Sequence, residues 1–110
     1  MQQFLYRTRP TRFGMLTDKP TEREAAIVDE HFQYLQKLVG EGVVLMAGRT
    51  LNEDDRVFGI VVLVAASESD AAEMMRNDPA VKHGVMKAEL FPYRVALWSA
   101  TGPPRDQEGR

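Results

Sequence analysis

Apolar and polar residues along the chain fall into blocks with two different periods. Residues 3–8, "QFLYRT", combine aromatic, aliphatic and β-branched side chains and predict a first strand. From Arg9 to Pro20 no period is visible, and two prolines and Gly14 predict a long loop of the kind that often borders a functional cleft. Helical spacing then sets in. Ala25, Val28, Phe32, Leu35 and Val39 form one apolar stripe, flanked by Ile27, Tyr34 and Leu38, with His31 on its shoulder. Thr21 with Glu24 three residues on reads as a capping box at the start of this helix, and "GEG" at 40–42 ends it through the left-handed geometry glycine tolerates. "VVLMAGRT" (43–50) and "VFGIVVLVA" (57–65) predict two strands joined by the acidic turn "LNEDD". "SESDAAEMMRND" predicts a second helix capped by Ser67, with Asp70 at its third position and Ala71, Met74 and Met75 facing inward. "VMKAELFPYRVALW" (85–98) predicts a last strand, which Pro92 confines to a sheet edge or bends.

The order β-α-β-β-α-β, with right-handed crossovers, gives an α+β fold of ferredoxin-like type. It has a four-stranded antiparallel sheet, both helices on one face, the first and third strands central, and the second and fourth at the edges. In the third strand Phe58, Ile60, Val62 and Val64 occupy one parity and Val57, Val61, Leu63 and Ala65 the other. A strand apolar on both sides belongs to a sheet covered on both faces. Two helices cover only one, so the pattern predicts that the other face meets a second copy in a homodimer or a higher oligomer. Residues 1–98 are expected to form a single domain and 99–110, which carry almost no apolar residues, a flexible tail.

Composition narrows the function classes. A chain of 110 residues suffices for one core without metals or disulfides. The net charge of −2, with both signs interspersed, lacks the cationic stripe a nucleic-acid groove needs to displace phosphate counterions. The absence of cysteine removes disulfides, thiolate zinc sites and a cysteine nucleophile, and fits a reducing cytoplasm. "MQQFLYRTRP" lacks the basic start of a secretion signal, and "IVVLVAA", the longest apolar run, is too short to span a bilayer. The expectation is a cytoplasmic protein with no membrane and no nucleic-acid partner.

No Gly-rich phosphate loop, GxSxG elbow, HExxH or carboxylate set at metal spacing occurs, so neither a metal nor a cofactor is expected. "LNEDD" lacks the alternating ligands of calcium loops and reads as a solvated turn. His31 and Asp78 carry the candidate chemistry. Two helices side by side on one face of a sheet can bring the flank that holds His31 to the Asp78–Pro79 corner ending the second helix. Asp before proline is a common helix stop. A carboxylate is nevertheless the wrong charge at a helix C-terminus, a mismatch that a nearby imidazolium would offset. A carboxylate beside histidine fixes the ring tautomer and raises its basicity, leaving the other nitrogen to take and return a proton. His83, in the turn before the last strand, reads as exposed; Met15, Met46, Met74, Met75 and Met86 read as core filler, and Trp98 as a core or interface anchor.

"EHFQYLQKL", a glycine break, "LMAGRT", a turn and "FGIVVLVAASESDAAEMMRNDPAVKHGV" together resemble the YciI-like (YCII-related) family over residues 1 to about 98. The resemblance implies a ferredoxin-like fold of dimeric α+β barrel type, with the catalytic pair on His31 and Asp78 and supporting positions at Ala47, Gly48, Pro79 and Gly84. Long family members carry "DGPF"; this chain has "LNEDDRVFG" there and resembles the short stand-alone members. Some relatives remove chloride from chlorinated hydroxyquinones, and similarly folded muconolactone isomerases shift protons on lactones. The first expectation is therefore a cofactor-independent lyase or isomerase acting on a small cyclic or aromatic molecule, with a pocket between the helix flank and the sheet. The alternatives are a metabolite-binding dimer without turnover, a structural dimer, and an oxygenase of the related dimeric barrels.

Overall fold

Four antiparallel strands, β1 (Gln2–Pro10), β2 (Val44–Arg49), β3 (Gly59–Ala65) and β4 (Met86–Tyr93), lie in the order β2-β3-β1-β4 in a computed structural model of the chain. It describes residues 1–104, apart from the side chains of Leu16 and Thr17. β1 and β3 are central and β2 and β4 are the edges, so the Val-rich strand is paired on both sides and the Pro92 strand on one. Two long helices, α2 (Glu22–Gly40) and α3 (Glu68–Asn77), cover one face. Their Leu35 and Ala71 join Phe4, Tyr6, Val44, Val61, Leu63 and Ala65 in the main core, as alternation along the strands requires. The architecture is α+β and ferredoxin-like.

Two single-turn helices, α1 (Gly14–Thr17) and α4 (Pro79–Lys82), were not legible as periods. α1 lies within what the sequence presents as a featureless loop from 9 to 20. β1 takes its first two residues, and Met15 anchors a second core cluster with Ile27, Ala80 and Val85. The last strand ends at Tyr93, short of 98, and residues 94–104 form no helix or strand. Trp98 is 57% exposed and so belongs to no core of this protomer. Residues 105–110 of the expected tail lie outside the described residues.

The apolar stripe of α2 is rotated from the one its spacing predicts. Ala25, Phe32 and Val39 are exposed, whereas Glu24, Ile27 and Leu35 are buried, with Val28, His31, Tyr34 and Leu38 half-buried between them. His31 is thus in the middle of the inward face rather than on its shoulder. Two competing stripes of similar apolarity existed in the sequence, and the docking of α1 and the α3–α4 corner selected the second. Met46 is likewise displaced from the expected core: a register shift between Val44 and Met46 turns it to the open face of the sheet, 42% exposed.

Candidate functional site

The site forms where α2 passes the corner between α3 and α4. Asp78 makes that corner. Its N–H bonds the Met75 carbonyl to close α3, and its side chain accepts from the Ala80 N–H at 3.0 Å to cap α4. Pro79 fills the first position of α4, where a missing N–H costs nothing. The extended ψ of 123° at Asp78 is what a residue before proline must adopt. The carboxylate thus faces a helix N-terminus, where it is favoured, rather than only a C-terminus. The charge mismatch inferred from sequence at the end of α3 is offset by this second helix, which "PAVK", a single turn, is too short to show as a period.

Asp78 is fully buried and bonded on both oxygens. Oδ1 lies 2.7 Å from His31 Nδ1, and Oδ2 accepts from the Tyr6 hydroxyl at 2.7 Å. The Tyr6 hydroxyl and the Ala80 N–H both donate to Asp78, which is the acceptor at each contact. Its neighbour Nδ1 then carries the proton, leaving the His31 Nε2 lone pair free when the ring is neutral. The His31 side chain keeps 16% of its surface exposed, so the ring bridges the buried carboxylate and solvent. Burial pushes the Tyr6 phenol far above its usual range, and the charge and hydrogen bond of Asp78 add to it. Tyr34, one turn along α2, donates to the Met74 carbonyl at 2.8 Å and is raised by burial and by the same charge.

Tyr6 was not singled out from sequence. Its signal was alternation on the inward face of β1, since a buried tyrosine hydroxyl needs an acceptor. Of the other positions, Pro79 and Gly84 belong to the corner. Gly84 takes φ +76°, the left-handed turn that leads into β4, and its carbonyl accepts from the Thr11 hydroxyl. Ala47 and Gly48 lie instead on β2, in the wall of a cavity of about 350 Å³ that also involves Met46, Phe58 and Ile60. A second cavity, about 270 Å³, lies between Arg9, Phe13 and Lys87. Neither wall includes His31 or Asp78. His83 is exposed at the end of α4, and its carbonyl accepts from Arg23. In the acidic turn Asp54 pairs with Arg56 and Asn52. Among the described residues no group of three His, Cys, Asp or Glu could hold a metal, and no helix is long and apolar enough to cross a membrane.

The sequence pattern of the YCII-related domain matches residues 12–94, three quarters of the chain. This chain is a member of the YCII-related family. None of the curated proteins matches it. Among solved structures, this YCII-related chain is similar to 5-chloro-2-hydroxyhydroquinone dehydrochlorinase from Burkholderia phenoliruptrix AC1100, in complex with 2,5-dihydroxybenzoquinone. The TM-score is 0.59 and the identity 19%, over 83% of this chain and 93% of that one. At that identity the likeness carries the fold alone.

Proposed function

We propose that this YCII-related protein is a small cofactor-independent enzyme of proton-transfer type, a lyase or isomerase, in which His31 is the general acid–base and Asp78 its orienting partner. The observation that carries this reading is the 2.7 Å contact between His31 Nδ1 and a fully buried Asp78, with the ring edge reaching solvent. His31 Nε2 takes a proton from an acidic carbon or hydroxyl of the substrate, and the electron pair moves into the ring system. The proton then returns elsewhere on the molecule, or an anionic group departs and the imidazolium gives its proton to water. The substrate class is a small cyclic or aromatic molecule, a choice supported by the hydroxyquinone chemistry of the similarly folded dehydrochlorinase. Pro79 and Gly84 support the site by fixing the corner that holds Asp78. The lack of cysteine supports a cytoplasmic setting.

The protein acts as a homodimer in this reading. The sheet face away from the helices carries Leu5, Val62, Val64, Met46, Phe91 and Tyr93, with the last three 42–47% exposed. Arg7 Nε is buried on the same face with no hydrogen-bond partner among the described residues, and a second copy could supply one. The two cavities that exclude the dyad favour a second reading, a metabolite-binding dimer without turnover.

The test is solvent-deuterium exchange and turnover on a panel of hydroxylated and halogenated cyclic compounds. His31→Ala should lower the rate by about a hundredfold or more, and an unchanged rate overturns the enzyme reading. If His31→Gln and the parent bind a compound equally and neither turns it over, the binding reading takes its place.

A further inference from the structure

The two oxygens of Asp78 are held differently. Oδ1 serves both His31 Nδ1 and the Ala80 N–H, whereas Oδ2 has one partner among the described residues, the hydroxyl of Tyr6. With Oδ1 contacts alone the carboxylate could turn about its Cβ–Cγ bond and leave Oδ2 buried without a donor. Tyr6 prevents this from a buried place on a central strand. It is 1% exposed on the central strand, paired with Val61 on one side and Leu90 on the other. A phenylalanine would fill nearly the same volume, so the hydroxyl answers to Asp78 rather than to packing. We infer that Tyr6 is the positioning residue of the dyad: its hydroxyl fixes the plane of the Asp78 carboxylate, and through it holds His31 in the tautomer protonated on Nδ1.

The arrangement references a contact between helices to the sheet beneath them. His31 comes from α2 and Asp78 from the α3–α4 corner, 47 residues away, and nothing local sets their approach. Tyr6 pins the corner from below. The Tyr34 bond to the Met74 carbonyl closes the same gap at its other end, without touching Asp78. The titratable groups that meet Asp78 are Tyr6 from β1 and His31 from α2, with Tyr34 near enough to feel its charge. Among the described residues no side chain of α3, α4 or β4 other than Asp78 itself bonds to either member of the pair. Oδ1 and Oδ2 share one negative charge, so a stronger donor at position 6 weakens the bond to His31.

The assignment rests on the proton-transfer reading only for its effect on turnover; the tautomer is a property of the protein without ligand. The experiment is ring-nitrogen NMR of labelled histidine at a pH where the rings are neutral, with His31→Gln assigning the signals. The parent and Tyr34→Phe should show His31 as one tautomer, protonated on Nδ1. Tyr6→Phe should show a mixture, and a fluorinated tyrosine at position 6, which keeps the donor, should restore the single form. A folded Tyr6→Phe protein with the parent's tautomer overturns the proposal. Should Tyr6→Phe fail to fold, the fluorinated series decides. The His31 Nδ1 proton resonance should move upfield as the position 6 hydroxyl becomes a stronger donor, and a fixed resonance overturns the role. A changed tautomer with no turnover on any compound would sink the enzyme reading and leave this one standing.

Discussion

Replacing Asp78 by alanine would strip the acceptor from three donors at once: the ring of His31, the hydroxyl of Tyr6 and the N–H of Ala80. The orphaned ring of His31 and hydroxyl of Tyr6 each cost about 1–3 kcal/mol, and the lost cap at the Ala80 N–H about 1 kcal/mol. Urea denaturation of Asp78→Ala should therefore show a loss of about 3 kcal/mol or more, with Asp78→Asn, which keeps one carbonyl oxygen, losing less. Tyr6 gives a pH dependence with a definite sign. Its folded-state value lies far above that of an unfolded tyrosine, because burial and then the Asp78 charge oppose the phenolate. Its contribution to stability is present in full below about pH 10 and falls as the pH rises past that point, where only the unfolded chain ionises freely. In an alkaline absorbance titration Tyr6 should ionise only as the circular dichroism is lost, and the Tyr6→Phe protein should lack that step. At Gly84, a Gly84→Ala change forces a side chain into φ +76° and should cost about 1 kcal/mol in the same denaturation assay.

At the scale of elements, the start of α2 was legible and can be titrated. Thr21 and Glu24 form the capping box that their spacing predicts, and Arg12, outside the helix, pairs with Glu24 at 2.6 Å. The Arg12 guanidinium, and then the Thr21 N–H, hold the Glu24 carboxyl down to about 2. Its stabilising effect is complete above the ordinary glutamate range and disappears as the pH falls through about 2. Between pH 5 and pH 2 the parent should lose more stability than Glu24→Gln, and the difference should shrink in salt, since Arg12 is exposed. The capping box was readable because its two residues are neighbours in the chain. The corner helix α4 was not, because one turn leaves no period. The inward face of α2 was misread because Ala25–Phe32–Val39 and Ile27–His31–Leu35 are both plausible stripes until something docks against one of them.

For the whole molecule, the proposed dimer makes the exposed side chains of the open sheet face its test. Phe91→Lys together with Met46→Lys should convert the protein to monomers in analytical ultracentrifugation while leaving the far-ultraviolet spectrum intact. Dimers that persist would show that another surface associates. The α+β class, the strand order and the edge places of β2 and β4 followed from element order, the right-handed crossover rule and Pro92. They were legible because topology has few solutions once six elements are counted.

What the sequence determined alone is what neighbours in the chain decide: the two periods, the caps at Thr21 and Ser67, the breaks at Gly42 and Asp78–Pro79, and hence the fold. The two residues of the candidate dyad could be named from it, His31 from its place on the shoulder of a helical stripe and Asp78 from the corner. Their distance, and the third member of the chain of hydrogen bonds, came only from tertiary structure. Tyr6 and Asp78 are 72 residues apart. A contact between a strand and a helix corner has no local signature, because it depends on how both pack against everything between them.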